Sequence, residues 1–343
     1  MTNLLMTSRC VRSCPYCFAK REMEGSPSGD IVNWENLIYL ADFLAASNQD
    51  HLSLLGGEPT LHPQFVDMVL FLIERRFHVT VFTSGVMSDA RLKQLSDHLS
   101  SVPPGRLSFV VNLNNPVQTP APKNEGRRIA KFLSLMGPWC TPGFNIYRTD
   151  FDIEFLFDLI ARYGMHRHIR LGLASPMPGV ESIYIKPDDV RGIISRLYTF
   201  RPMLDRLDIK PGLDCGFPLC GFTDEQLGWL MRHSGKFKFG CGPAIDLTPD
   251  LNVYACFPLS GFHKRSLFEF NSMREVHDFY QGLFDHVRSE TAGIYEECDG
   301  CVHREEGRCS GGGACQVMNR FVGEAPVRLV EIERGLSKPC LSV

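Results

Sequence analysis

The sequence predicts an α/β protein: a parallel sheet with crossover helices, followed by a small cysteine-rich part. Three observations carry that expectation. Short apolar runs alternate with amphipathic stretches about six times through the first two thirds of the chain. Residues with chemical character fall directly after the apolar runs, where parallel α/β folds gather their active groups. Of the 13 cysteines, three lie before residue 20, only Cys140 stands between there and Cys215, and nine follow from Cys215 to Cys340.

Strands are expected at 3–7 (NLLMT), 51–55 (HLSLL), 78–83 (HVTVFT), 107–113 (LSFVVNL), 144–148 (FNIYR) and 168–173 (HIRLGL). Between them lie helical patterns with apolar residues three and four apart: NWENLIYLADFLAA, QFVDMVLFLIERR, DARLKQLSDHL, EGRRIAKFLSLM and DIEFLFDLIARYG. SPSGDIVNWENL and PQFVDM carry helix-start signals, and Gly164 is a stop. Strand followed by helix, repeated, implies right-handed crossovers and a parallel sheet, either open or curled into a full or partial barrel. The later part reads differently. A helix is expected over 187–206, then a hairpin in which AIDL and LNVYA flank the turn residues TPD, then a helix near 274–288. The glycine-rich segment CDGCVHREEGRCSGGGAC follows, and there is no internal repeat.

The composition narrows the function classes. The chain is 44% hydrophobic and 22% charged with a formal net charge of -3, as in an ordinary globular protein. No basic field points to nucleic acid, and GRRIAK and HKR read as solvated faces. No apolar run approaches the ~18 residues of a membrane span, and no secretory signal opens the chain. A cytoplasmic location is expected. In a reducing compartment clustered cysteines bind metal or do redox work, and an odd count does not suit complete disulfide pairing.

Cys10, Cys14 and Cys17 stand at C-x3-C-x2-C spacing after the first strand. Three thiolates on one loop hold three irons of a cubane and leave the fourth iron open. Zinc requires a fourth ligand and usually takes paired C-x2-C units. The spacing favours iron–sulfur over zinc. GGEP follows the second strand, TSG the third, NLNNP the fourth, and Arg148 ends the fifth. Asp150, Asp152, His166, His168 and Arg170 are further polar residues expected at the same mouth.

CVRSCPYC, with Tyr16 just before the third cysteine, resembles the cluster motif of the radical S-adenosylmethionine (radical SAM) enzymes, and LLGGEPTLHP resembles their glycine motif after the second strand. That resemblance implies a partial (β/α)6 TIM-type barrel and a 4Fe–4S cluster on Cys10, Cys14 and Cys17. It also implies S-adenosyl-L-methionine chelated at the open iron and cleaved reductively to a 5′-deoxyadenosyl radical. Cofactor contacts are implied at Tyr16, beside the adenine, and at Gly56, Gly57, Glu58 and Pro59, around the methionine amine. Glu58 either accepts from that amine or braces its loop. Ser84 of TSG, Asn112 and Arg148 are weaker carry-overs. Asn112 is either a ribose or carboxylate contact or a satisfied loop residue. Arg148 either pairs with the cofactor carboxylate through its planar fork or faces solvent or substrate.

The tail is similar to the SPASM/twitch-type extension of that superfamily, which carries auxiliary clusters. Cys241-x14-Cys256, then Cys298-x2-Cys301-x7-Cys309-x5-Cys315, then Cys340 keep its number and order of cysteines. The two middle spacings are longer than in the family, and Leu251 stands where a turn glycine is usual. The resemblance implies one auxiliary cluster on an upstream cysteine with Cys241, Cys256 and Cys315, and another on Cys298, Cys301, Cys309 and Cys340. Cys215 and Cys220 compete for the upstream place, and Cys220 is preferred because it lies nearer Cys241. Structural zinc is the alternative for this tail, and Cys140 is an ordinary core residue.

The division expected is a radical SAM core over 1–206 and an auxiliary-cluster domain over 207–343. The function expected is hydrogen abstraction from a peptide or protein substrate, giving oxidation or a cross-link in peptide maturation. A dehydrogenase or epimerase of a small molecule such as a sugar or aminocyclitol is the alternative, and a non-catalytic metal-binding scaffold the third. Phe257 follows Cys256, where sulfatase-maturing relatives have an acidic base, so that activity is not expected. A flavodoxin- or ferredoxin-type electron donor is the expected partner, with neither nucleic acid nor membrane. No residue is singled out as a general base.

Overall fold

A computed structural model describes residues 2–19, 22–23, 31–99, 102–119, 124–234 and 239–322. Seven strands form a parallel arc: β1 (Asn3–Leu5), β2 (His51–Leu55), β3 (His78–Thr83), β4 (Leu107–Asn112), β5 (Cys140–Ile146), β6 (His168–Leu173) and β7 (Lys210–Leu213). Successive strands are neighbours, as consecutive crossovers of one hand require. The intervening helices are α1 (Trp34–Ala46), α2 (Phe65–Glu74), α3 (Asp89–Leu99), α4 (Glu125–Met136) and α5 (Glu154–Tyr163), with α6 (Val190–Thr199) and α7 (Arg201–Leu207) before β7. The arc does not close on itself. β1 pairs on its other side with β8 (Asp246–Leu247), which begins the antiparallel set β8–β9–β10 formed with β9 (Asn252–Tyr254) and β10 (Arg265–Ser266).

One apolar core fills the space between the strands and the helices around them, from Leu4 and Leu37 through Phe109 and Phe132 to Tyr280. The helix faces follow from spacing. On α1, Leu37, Leu40, Ala41 and Leu44 are buried, and Asn33 caps the start by accepting from the Asn36 backbone N–H. Gly164 ends α5 at φ +62, a left-handed conformation that glycine adopts without strain. Cys140 is fully buried as the first residue of β5, its thiol donating to the Met136 carbonyl at 3.0 Å.

Departures from expectation are local. The helix expected over 187–206 is two helices that break at Phe200, and Pro202, which lacks an N–H, sits in the first turn of the second. The fifth strand begins at Cys140 rather than 144, its edge pattern hidden by Pro142 and Gly143. β7, KPGL, offers neither alternation nor β-branched residues, so it is recognised only by its pairing with β6. The expected hairpin is β8–β9, and its turn needs a left-handed residue. Leu251 supplies it at φ +61, a strain of about 1–2 kcal/mol offset by complete burial of its side chain.

After α8 (Asp224–Ser234) and the hairpin, α9 (Met273–Glu290) packs against α11 (Ala314–Val322), with the short α10 (Val302–Glu305) between them in sequence. The sheet therefore runs without interruption through strands on both sides of residue 206. No helix among the described residues is long and apolar enough to cross a membrane.

Candidate functional site

The cysteine loop follows β1 and is held by the loop after β2. Gly57 N donates to Thr7 O at 2.9 Å and Glu58 N to Arg9 O at 2.7 Å, so the two loops run side by side. This explains both glycines. A Cβ on Gly57 would stand 2.1 Å from Arg9 O, and one on Gly56, at φ +154, would stand 2.6 Å from Thr7 O. The backbone that approaches them so closely is the cysteine loop itself.

Within the loop, Cys17 N donates to Cys14 O at 3.1 Å and Arg12 N to the Cys10 sulfur at 3.4 Å. Burial first, then the charges of Glu58, Cys14 and Cys17, push the Cys10 thiol up to about 11 against the lowering effect of the Arg12 N–H. The three thiols thus lie within electrostatic reach of one another. Among the described residues no three His, Cys, Asp or Glu side chains converge on the spacing of a single ion. A cubane is met by sulfurs that each attach to a different iron and stand further apart. Soft thiol donors with a partly buried, proton-holding character suit an iron–sulfur cluster, whose binding releases those protons.

Arg12, between the first two cysteines, carries no signal in the sequence and anchors the loop. Its Nε and NH2 donate to one Glu125 oxygen at 3.0 and 2.6 Å, and its NH1 donates to Asn112 O at 2.7 Å. Both side chains are only 7% exposed. Glu125 is the first residue of α4, where a carboxylate also suits the helix dipole.

Glu58 is 1% exposed and fully engaged. One oxygen accepts from the Thr60 backbone at 3.4 Å and from the Thr60 and Thr83 hydroxyls at 2.8 and 2.7 Å; the other accepts from Ser84 N and Oγ at 2.8 and 2.5 Å. These bonds make Glu58 a brace between its own loop and the loop after β3. Pro59 is buried in the first turn of the helical turn Pro59–Leu61, which Glu58 caps. His62 packs behind, Nε2–H donating to Val32 O at 2.8 Å while Nδ1 accepts from Gln64 N at 3.1 Å, so it is a neutral tautomer.

The Tyr16 ring stacks on Tyr147 at 4.7 Å, and its hydroxyl donates to Asn114 Oδ1 at 2.6 Å. The inward face of the arc is polar towards the C-terminal ends of β4 to β7. Asn112 Oδ1 is buried there without a hydrogen-bond partner. Glycines leave the space: a Cβ on Gly143 would meet Asn112 Oδ1 at 2.9 Å, and one on Gly172 would meet Asn145 Oδ1 and Asp214 Oδ2 at 3.0 Å each. Arg170 pairs with Asp214 at 2.6 Å and lies over the Phe82 ring at 5.1 Å. Burial raises the Asp214 carboxyl, and Arg170 opposes that rise.

Other expected residues stand elsewhere. Arg148 is gripped by Asp150 through Nε and NH2 at 2.6 and 2.7 Å, on an exposed rim. His166 precedes β6 and His168 opens it, so both lie at the end of the arc opposite the cysteine loop.

Two further thiol groups form in the later part. Cys215, just past β7, is in hydrogen-bond contact with the Cys241 side chain. Half-buried Cys256 and buried Cys315 lie within charge range of each other and of Cys215, and burial pushes the Cys315 thiol up to about 12. Cys220, preferred for this group by its nearness in sequence, is not part of it. β7 ends at Leu213, so Cys215, two residues on, is delivered to the barrel mouth, while Cys220 is carried outward in the turn Leu219–Gly221. Cys220, Cys298, Cys301 and Cys309 together line one cavity that is open to solvent. Cys340 lies outside the described residues. The cysteine loop reaches the first of these groups through Phe18, whose ring lies 6.2 Å from that of Phe257, next to Cys256.

Residues 4–132 match the family model described as Radical SAM superfamily. The chain is 24% identical over 273 residues to GTP 3',8-cyclase of Moorella thermoacetica, which covers 75% of this chain and 81% of that protein. It is 27% identical over 116 residues to Molybdenum cofactor biosynthesis protein 1 of Bos taurus, 31% of this chain and only 18% of that protein. Among solved structures, native anSMEcpe with bound AdoMet superposes with a TM-score of 0.63 at 15% identity, covering 97% of this chain and 100% of that one. Streptococcus suis SuiB bound to precursor peptide SuiA gives 0.58 at 13% identity, covering 96% and 72%. At those identities the structures speak for the fold. The cysteine loop on its glycine cradle lies within the match over residues 4–132: this part of the chain is a domain of the Radical SAM superfamily, and a cysteine-rich part follows it.

Proposed function

We propose that this radical SAM enzyme oxidises or cross-links a peptide substrate. Its radical core would be 1–206 and its auxiliary-cluster part 207–343. Bound at Cys10, Cys14 and Cys17, a 4Fe–4S cluster with S-adenosylmethionine supplies a 5′-deoxyadenosyl radical able to remove a hydrogen atom from substrate. The chain's own residues prepare the place. Gly56 and Gly57 seat the cysteine loop, Arg12 ties it to α4, Glu58 fixes Ser84, and Asn112 presents an unpaired oxygen to the lumen.

The observation that carries the oxidative reading is the position of the first later thiol group. Cys215 directly follows Asp214, whose pair with Arg170 faces the lumen. An auxiliary cluster on Cys215, Cys241, Cys256 and Cys315 would stand beside the substrate space, placed to accept the electron that an oxidised product releases. A second would lie around Cys298, Cys301 and Cys309. The peptide class is supported by the fold shared with SuiB, solved with its precursor peptide. A flavodoxin- or ferredoxin-type protein would reduce the first cluster.

A small-molecule substrate is the second reading. It is favoured by the likeness to GTP 3',8-cyclase across three quarters of the chain. The test uses reconstituted, reduced protein with S-adenosylmethionine, which is expected to form 5′-deoxyadenosine. Deuterated short peptides encoded beside this gene, or GTP, are then added singly. Deuterium in 5′-deoxyadenosine with a peptide, together with loss of hydrogen mass from it, supports the first reading. Transfer from GTP alone supports the second, and no 5′-deoxyadenosine at all refutes both.

A further inference from the structure

The geometry points to Cys220 as the fourth ligand of the second auxiliary cluster, completing a set with Cys298, Cys301 and Cys309 that needs nothing from the last 21 residues of the chain, 323–343. This rests on the auxiliary-cluster reading above. Four thiolates are what a closed 4Fe–4S cubane takes, and these four line one cavity.

Three pieces of backbone deliver the four cysteines, with Cys298 and Cys301 on one of them. Cys220 lies in the turn Leu219–Gly221, which presses on α6: a Cβ at Gly221 would be 2.6 Å from the Ile194 side chain. Cys298 ends the turn Glu296–Cys298, Cys301 precedes the first turn of α10, and Cys309 is bridged to Phe239. The Gly311 N–H donates to the Cys309 sulfur at 3.4 Å, as ligand sulfurs of clusters commonly accept. Cys220 shares the wall of this cavity with Cys298 and Cys309 and lies within charge range of both. Arg191 is in hydrogen-bond contact with Cys220, and Arg304 lines the same wall. Those two guanidiniums offset part of the negative charge that four thiolates bring to a cavity open to solvent. Buried Nδ1 of His303 and Nε of Arg304, both lining residues, have no partner from the protein.

The test compares full-length Cys220→Ala and Cys340→Ala after anaerobic reconstitution, by iron and sulfide per chain and by electron paramagnetic resonance. Wild type is expected to hold about twelve irons. Cys220→Ala is expected to lose about four of them or to convert one cluster to a three-iron form with its own signal, while Cys340→Ala keeps the wild-type count and spectrum. Cys220→Ser, which retains an oxygen donor of similar size, should hold iron with one altered signal. Wild-type iron in Cys220→Ala overturns the assignment, and so does any loss from Cys340→Ala, alone or together with Cys220→Ala. A wild type holding only about four irons refutes the auxiliary-cluster reading itself, which separates the two failures.

Discussion

Replacing Arg12 by alanine tests whether the loop between β1 and α1 is held from within. The Arg12 guanidinium makes three hydrogen bonds, two to Glu125 and one to Asn112 O, and both charged side chains are 7% exposed. Solvent screening is therefore slight. Removing one partner leaves the Glu125 carboxylate buried without its counter-charge, which typically costs about 3–5 kcal/mol. With a urea dependence of ~3 kcal/mol per molar, the midpoint of the anaerobic holoprotein should fall by about 1–1.7 M. The double variant Arg12→Met/Glu125→Leu leaves no uncompensated charge and should recover at least half of that loss. A double-mutant cycle through the two alanine variants should give a coupling above about 1.5 kcal/mol. A midpoint shift under about 0.3 M for Arg12→Ala, the range of an exposed pair, would sink the argument.

Glu58→Gln puts an NH2 where one carboxylate oxygen accepts from Thr60 and Thr83 or from Ser84, so a buried donor faces a donor; a loss of about 1–3 kcal/mol should appear in the same urea assay, and an unchanged midpoint would contradict the bracing role. Gly57→Ala drives a Cβ to 2.1 Å from Arg9 O and should displace the cysteine loop, removing about four irons per chain while the spectra of the later clusters persist. An intact iron count in that variant counts against the cradle. His62 is buried and neutral, its basicity lowered first by burial, so the folded form resists protonation that the unfolded chain accepts below its ordinary value of 6.5. The sign follows: this contribution is complete above about pH 6.5 and declines as pH falls towards the lowered folded value. His62→Gln should flatten the acid-side fall in unfolding free energy, and an identical slope in both proteins would exclude His62 as its source.

Much of the arc was legible because its signals are local. Strands at 51–55, 78–83 and 168–173 and helices at 89–99 and 125–136 carry their own periodicity within a few residues. The cysteine loop and the glycines after β2 were legible for a similar reason, since spacing and special residue types survive without tertiary context. Arg12 was not, because an arginine between two cysteines looks like any exposed charge until α4 brings Glu125 to it across 113 residues. The bracing partners of Glu58 were not legible either, because Thr83 and Ser84 come to it from the next strand, 25 and 26 residues away.

By itself the sequence determined the type of chemistry: three thiols at one loop, glycines at the next, and a second reserve of cysteines in the tail. Tertiary structure decided which thiols keep company. Nearness along the chain favoured Cys220 for the group at the barrel mouth, but β7 ends at Leu213 and delivers Cys215 there, while Cys220 swings out to the cavity of Cys298, Cys301 and Cys309. Ligand spacing is a property of a loop, whereas ligand partnership depends on where the sheet sets each loop down. That placement is set by long-range packing that no stretch of sequence contains.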